Sequence, residues 1–199
     1  MASEPQEPPI LISIDLQNGM VEGAEEWGPR STPNLTENVK YLLKTWREKG
    51  WPIIHIQHDA KDEPDNPIAA RFPKTFAIHA SAAQEGEEKV FVKHTSSAFL
   101  APGVLETIKS YGKRRIVIMG MDGAQCVNST TRSGDDNGYK MFIVADACAS
   151  YSMEDYEGKL YGAQETHNAA MYMLMAFGKV TMTKEVLKVL GYEQDAGSV

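Results

Sequence analysis

The sequence predicts an α/β fold of three layers, a mostly parallel β-sheet with helices on both faces. Two observations carry this. Strand-like and helix-like segments alternate along nearly the whole chain, and the strand candidates are short, continuous apolar runs such as "PILISID" and "RRIVIMG", the pattern of strands covered on both sides. A parallel sheet needs right-handed crossovers and collects its ligands at the carboxyl ends of the strands.

The first strand runs from Pro9 to Asp15 and ends at an acid. After a loop with Gly19, Gly23 and Gly28, "NLTENVKYLLKTWREKG" sets Leu35, Val39, Leu42, Leu43 and Trp46 at helical spacing, with Asn34 as cap and Gly50 as stop. "PIIHIQ" is the second strand. The polar stretch from His58 to Lys89, with Pro64, Pro67 and Pro73, is too long for a plain connection and reads as a binding loop, a lid or a subunit contact. The third strand, Val90 to Lys93, ends at a base.

A short helix follows in "PGVLETIKSYG", then "RRIVIMG" as the fourth strand. The next helix begins near Cys126 and runs to about Asn137. "YKMFIVAD" is the fifth strand, "AQETHNAAMYMLMAFG" a helix, "KVTMT" a short strand and "KEVLKVL" a closing helix.

At 199 residues the chain forms one domain, 1–199, large enough to bury a core unaided, with fraying expected over about 1–8 and 193–199. A net charge of −7 argues against nucleic acid or an anionic membrane as partner. No apolar run reaches membrane-spanning length. The polar, Pro-rich start and the two cysteines, Cys126 and Cys148, point to a reducing, cytoplasmic setting.

Three predicted strand ends carry chemistry: Asp15, Lys93, and the turn leading to Cys126. A helix N-terminus and a nearby ammonium both favour a thiolate. A carboxylate can take the thiol proton and return it to a leaving group. Each residue alone has a plainer reading as turn, solvated end or packing. Cys148, in "DACAS", has no such surroundings and reads as packing.

The chain resembles the isochorismatase-like cysteine hydrolases, a family that also holds nicotinamidases, N-carbamoylsarcosine amidases and streptothricin hydrolases. The matching stretches are "LISIDLQNGM", "FAIHASAAQEGEEKVFVKHTSSAF", "IVIMGMDGAQCVNSTTRSGDDNGYKMFIVADACAS" and "ETHNAAMYML". The resemblance implies a Rossmann-like hydrolase fold and an Asp15–Lys93–Cys126 triad. It implies a cis peptide between Met121 and Asp122, and an oxyanion hole from the backbone N–H groups of Asp122 and Cys126. It also implies a homo-oligomer, dimer or tetramer, with the long loops or the last helix as interface.

The substrate is then a small molecule and no cofactor is required. Isochorismate, cleaved at its vinyl ether to release pyruvate, and a carboxamide or lactam, opened through a thioester, both fit. An idle binding protein of the same fold is a third reading, and a nucleotide binder is disfavoured because no glycine-rich phosphate motif follows a strand.

Gln17, Trp27, Phe99, Met121 and Gly123 are the candidates for the substrate pocket, and Phe72 and Phe76 could extend an aromatic wall. The small pair Gly123 and Ala124 stands where many relatives carry polar residues, which would leave room above Cys126. No metal site is expected. His55 and His58 fall on opposite faces of a strand, and with Asp59 they read as polar packing. His79 and His167 read as structural, and Gly134 as a point of close packing.

Overall fold

The structure, a computed structural model, describes residues 7–63, 65–112 and 114–192. The expected fraying at the termini lies outside these residues, apart from Glu7 and Pro8. Among the described residues there are eight strands: β1 (Ile10–Ile14), β2 (Ile53–His58), β3 (Lys89–Lys93), β4 (Arg115–Gly120), β5 (Lys140–Cys148), β6 (Met153–Glu154), β7 (Leu160–Tyr161) and β8 (Lys179–Thr181). The helices are α1 (Asn18–Val21), α2 (Leu35–Glu48), α3 (Pro73–Phe76), α4 (Val104–Ser110), α5 (Cys126–Asp136), α6 (Ala163–Leu174) and α7 (Val186–Val189).

Six strands form one sheet in the order β3-β2-β1-β4-β5-β8, and every neighbouring pair is parallel. The order reverses between β1 and β4. Successive strands leave that point in opposite directions, so their connections part and a crevice opens at the carboxyl ends.

The inner strands β1, β2 and β4 are buried almost throughout, as their unbroken apolar runs require, while the edge strand β3 leaves Lys89 and Val92 exposed. Ile10, Ile12 and Ile14 of β1 share one core with Ile116, Ile118, Val104, Ile108, Val127 and Leu174, under α4, α5 and α6. Leu11 points the other way, into a core with Val39, Leu42, Leu43 and Trp46 of α2 and Val186 of α7. Each fully buried aliphatic side chain contributes about 1.5–3 kcal/mol, so α2 is held by its apolar stripe. Asn34 stands at its N-cap without a side-chain cap bond. Gly50, with φ of 61°, turns the chain after it.

Three local features differ from the sequence reading. β5 runs on to Cys148, with a register irregularity against β4 between Ile118 and Gly120. The long polar stretch contains α3 and a short 3-10 turn at Ala80–Ala82. An antiparallel β6–β7 hairpin stands in a segment too short and polar to show an alternating pattern. Gly134 does pack closely: a Cβ there would lie 2.4 Å from Met141 Sδ and 3.1 Å from a Phe99 ring carbon. No helix among the described residues is long and apolar enough to cross a membrane.

Candidate active site

Four strand ends meet at the crevice. β1 leads into Asp15, whose φ of 50° lies in the left-handed region; aspartate tolerates it better than most residues, at a cost of about 1–3 kcal/mol. Backbone bonds from Asp15 N to Ile56 O at 2.9 Å and from Met121 N to Ile14 O at 2.9 Å tie this bend to β2 and β4. β3 ends at Lys93, wholly buried, and β4 turns through residues 121–125 into α5, which opens at Cys126.

Lys93 Nζ lies 2.8 Å from Asp15 Oδ2 and donates to Cys126 Sγ at 3.2 Å. Asp15 is 1% exposed and its Oδ1 has no hydrogen-bond partner among the described residues. The three candidate residues are therefore brought together around one ammonium.

The electrostatic balance differs from the expected thiolate. Burial, then the Asp15 carboxylate, push the Cys126 thiol up to about 12, outweighing Lys93. Burial also pushes the Asp15 carboxyl up, against the pull of Lys93. The resting sulfur is thus a thiol, beside the Lys93–Asp15 pair. Moving the proton from sulfur to Asp15 leaves one anion and one cation in place, so the low dielectric penalises the transfer less than creating a new charge would.

The sequence reading placed His58 in polar packing, and the structure places it in the site. Its Nδ1 lies 3.8 Å from Cys126 Sγ and 3.9 Å from Asp15 Oδ2. Strand order was the missed signal, because β2 lies between β1 and β3 and its last residue, His58, pairs in register with Lys93. Burial, then Lys93, lower the His58 pKa and favour the neutral ring. His55, on the opposite face, instead meets Glu88 Oε2 at 2.9 Å.

The turn leading into Cys126 is pinned by Asp122. Its Oδ1 accepts from Ala124 N at 2.7 Å and its Oδ2 from Tyr151 N at 2.9 Å. The Met121–Asp122 peptide is cis. Neither the Asp122 N–H nor the Cys126 N–H has a backbone acceptor among the described residues.

Asp15, His58 and Cys126 line a cavity of about 520 Å³ that is walled by Trp27 and Tyr151. The two rings meet edge to face, 5.2 Å between centroids. Of the pocket candidates Trp27 alone is here. Gln17 is fully buried with its amide on the His58 backbone. Phe99 is in the core, stacked on Tyr139 at 5.7 Å, and Met121 is packed with α2 and α7. Gly123 is turned away from the cavity, so that a Cβ there would lie 2.7 Å from Ser150 Oγ and 3.2 Å from His167 Nδ1. The room expected above Cys126 is therefore elsewhere. Phe72 borders a separate surface hollow with Arg71 and Lys74.

His79 holds its loop through Ser81, and His167 Nε2 meets Ala145 O at 3.1 Å. Asp15, His58 and Cys126 offer ligand atoms within 4.8 Å of one another. The Lys93 ammonium already stands beside two of them, where it would repel a metal ion, so the set fits a metal poorly.

Residues 9–185 match the family model of the isochorismatase domain. The uncharacterized isochorismatase-family protein YrdC of Bacillus subtilis is 32% identical over 85% of this chain and 88% of its own length. YddQ of the same organism is 30% identical over 89% of this chain and 98% of its own. A solved isochorismatase-family structure from Chromobacterium violaceum superposes with a TM-score of 0.85 at 27% identity, covering 97% of this chain and all of the other. With the family model spanning the sheet and all four strand ends of the crevice, the chain belongs to the isochorismatase family of hydrolases.

Proposed function

We propose that the protein is a cysteine hydrolase that opens a small carboxamide or lactam through a thioester. The observation that carries this is Lys93 Nζ lying between Asp15 Oδ2 at 2.8 Å and Cys126 Sγ at 3.2 Å. In this reading Asp15 takes the thiol proton as Cys126 Sγ bonds to the carbonyl carbon, and Lys93 stabilises the thiolate as it forms. The carbonyl oxygen gains the charge and is met by the N–H groups of Asp122 and Cys126. Collapse expels the amine, which takes the proton from Asp15. Water then attacks the thioester, giving its proton to Asp15, and the thiolate expelled as the acid departs recovers that proton.

Isochorismate is the second reading, and the cavity argues against it. Isochorismate is a dianion at neutral pH, while the described lining residues include Glu26, Glu63 and Glu154 and no lysine or arginine. The deciding experiment measures ammonia or amine release from a carboxamide panel and pyruvate release from isochorismate, with wild type, Cys126→Ala and Asp15→Asn. Turnover of an amide, lost in both variants and accompanied by an acyl adduct on Cys126, supports the amide reading. Pyruvate release that survives Cys126→Ala would replace it with proton-driven ether cleavage.

A further inference from the structure

The mouth of the cavity carries a charge pattern that the triad does not use. Glu26 lies beside Trp27 in a 3-10 turn, Glu154 lies on β6, and Glu63 lies on the loop after β2. All three are exposed, all three line the cavity, and no ion pair engages them among the described residues. The cation beneath them, Lys93, is fully buried and paired with Asp15. His58 adds no charge while its ring is neutral.

A cleft lined by one sign of charge focuses its field on the approaching ligand. Two independent features point the same way. The Trp27 and Tyr151 rings supply an aromatic surface of the kind that stabilises an ammonium or guanidinium. At the floor the nearly fully buried Asp15 carboxylate has Oδ1 unpartnered. Acidic rim, aromatic wall and the Asp15 carboxylate all border the same cavity.

We propose that this cavity selects small molecules bearing a positive charge, an ammonium or guanidinium seated between the carboxylates and the Trp27–Tyr151 wall. The choice of substrate class rests on the amide reading above, in which the charged group belongs to the amide or to its leaving amine. The selection by charge is a property of the cavity whatever bond is cleaved.

Charged thiol reagents test it. Cys126 is modified with trimethylammonioethyl, sulfonatoethyl and methyl methanethiosulfonate, and each rate is read by intact mass with the site confirmed by peptide mapping. In each reaction Sγ forms a disulfide with the reagent's sulfenyl sulfur and methanesulfinate leaves. The cation-to-anion rate ratio, relative to the same ratio on a free cysteine peptide, is expected to be about tenfold or more at low salt. It should fall as salt is raised and collapse in the Glu26→Gln/Glu63→Gln/Glu154→Gln variant. A ratio equal to the peptide's, an anion preference, or failure of all three reagents including the neutral one would overturn the proposal. In parallel, 6-aminohexanamide, which carries an ammonium, and hexanamide, which carries none, are compared by KM and kcat. Turnover of neither, with the cation preference intact, counts against the amide reading alone. Equal KM for the two would count against charge selection.

Discussion

Gln17 closes both ends of its side-chain amide on the backbone of His58. Its Oε1 accepts from His58 N at 2.7 Å and its Nε2 donates to His58 O at 3.1 Å. A fully buried glutamine thus continues the ladder where β2 ends, and it holds the imidazole of His58 over Cys126 Sγ. Any effect of Gln17 on the site would act through His58, which makes it a candidate positioning residue.

Replacing it separates those roles. Gln17→Ala leaves an N–H and a carbonyl of His58 without partners, which costs about 1–3 kcal/mol for each group that water does not reach. Chemical denaturation should show that loss. His58→Gln, which keeps the backbone clamp, should leave stability within about 0.5 kcal/mol while lowering kcat more than it raises KM. Unchanged kcat in His58→Gln would mean that the ring only fills space.

The buried pair of Asp15 and Lys93 gives a second expectation. Lys93→Met strands a carboxylate that is 1% exposed, and removing one partner of a buried pair costs roughly 3–5 kcal/mol. Adding Asp15→Asn to it should recover most of the stability, because no charge is then left buried alone. Turnover should be absent from both. A double variant as unstable as Lys93→Met would show that the pair is not the source of the loss.

Acid stability should depend on Glu88. Burial raises its carboxyl, but the Arg47 hydrogen bonds, at 2.7 and 2.9 Å, with help from the Glu85 N–H and His55, bring it down to about 2 from the ordinary 4.5. A folded pKa below the unfolded one means that the unfolded chain binds the extra proton. The contribution is therefore complete above about pH 5 and is lost between there and about pH 2. Glu88→Gln should be less stable at neutral pH and should flatten that limb of a pH series of denaturation midpoints. Asp15, whose carboxyl is pushed up by burial, works with the opposite sign, so an unchanged acid limb in Glu88→Gln would remove Glu88 as its cause.

The sheet was legible because dry parallel strands are written as unbroken apolar runs, and α2 because Leu35, Val39, Leu42, Leu43 and Trp46 repeat at helical spacing. Asp15, Lys93 and Cys126 were legible as strand ends of distinct chemistry. His58 was not, since its neighbours in space are set by the β3-β2-β1-β4 order, which local pattern does not encode. Phe99 and Met121 were misplaced for a related reason: closeness to Cys126 along the fold does not say which way a side chain points. The β6–β7 hairpin, two residues per strand, is too short to carry a period at all, yet it brings Met153, Glu154 and Leu160 to the cavity.

Gly120 tests whether the closeness of β1 and β4 is what brings the site together. Its φ is 136°, and a Cβ on it would lie 2.0 Å from Ile14 O, with Ile14 C and N at 2.8 Å. These are backbone atoms of the neighbouring strand, one residue before Asp15, while Gly120 lies six residues before Cys126, so no side-chain rotation relieves the clash. Gly120→Ala must push β1 and β4 apart, and it should cost about 4 kcal/mol or more. Gly50→Ala is the control, because Gly50 also has a positive φ, 61°, but nothing lies within 4 Å of its would-be Cβ. That change should cost only the backbone term, about 1–2 kcal/mol. Where Gly120→Ala still folds, modification of Cys126 by a neutral thiol reagent should change its rate and pH dependence, since the spacing of Sγ from Lys93 and Asp15 is set across this contact. Equal destabilisation by the two substitutions would mean that β1 and β4 can part at little cost, and that the site is assembled by its loops.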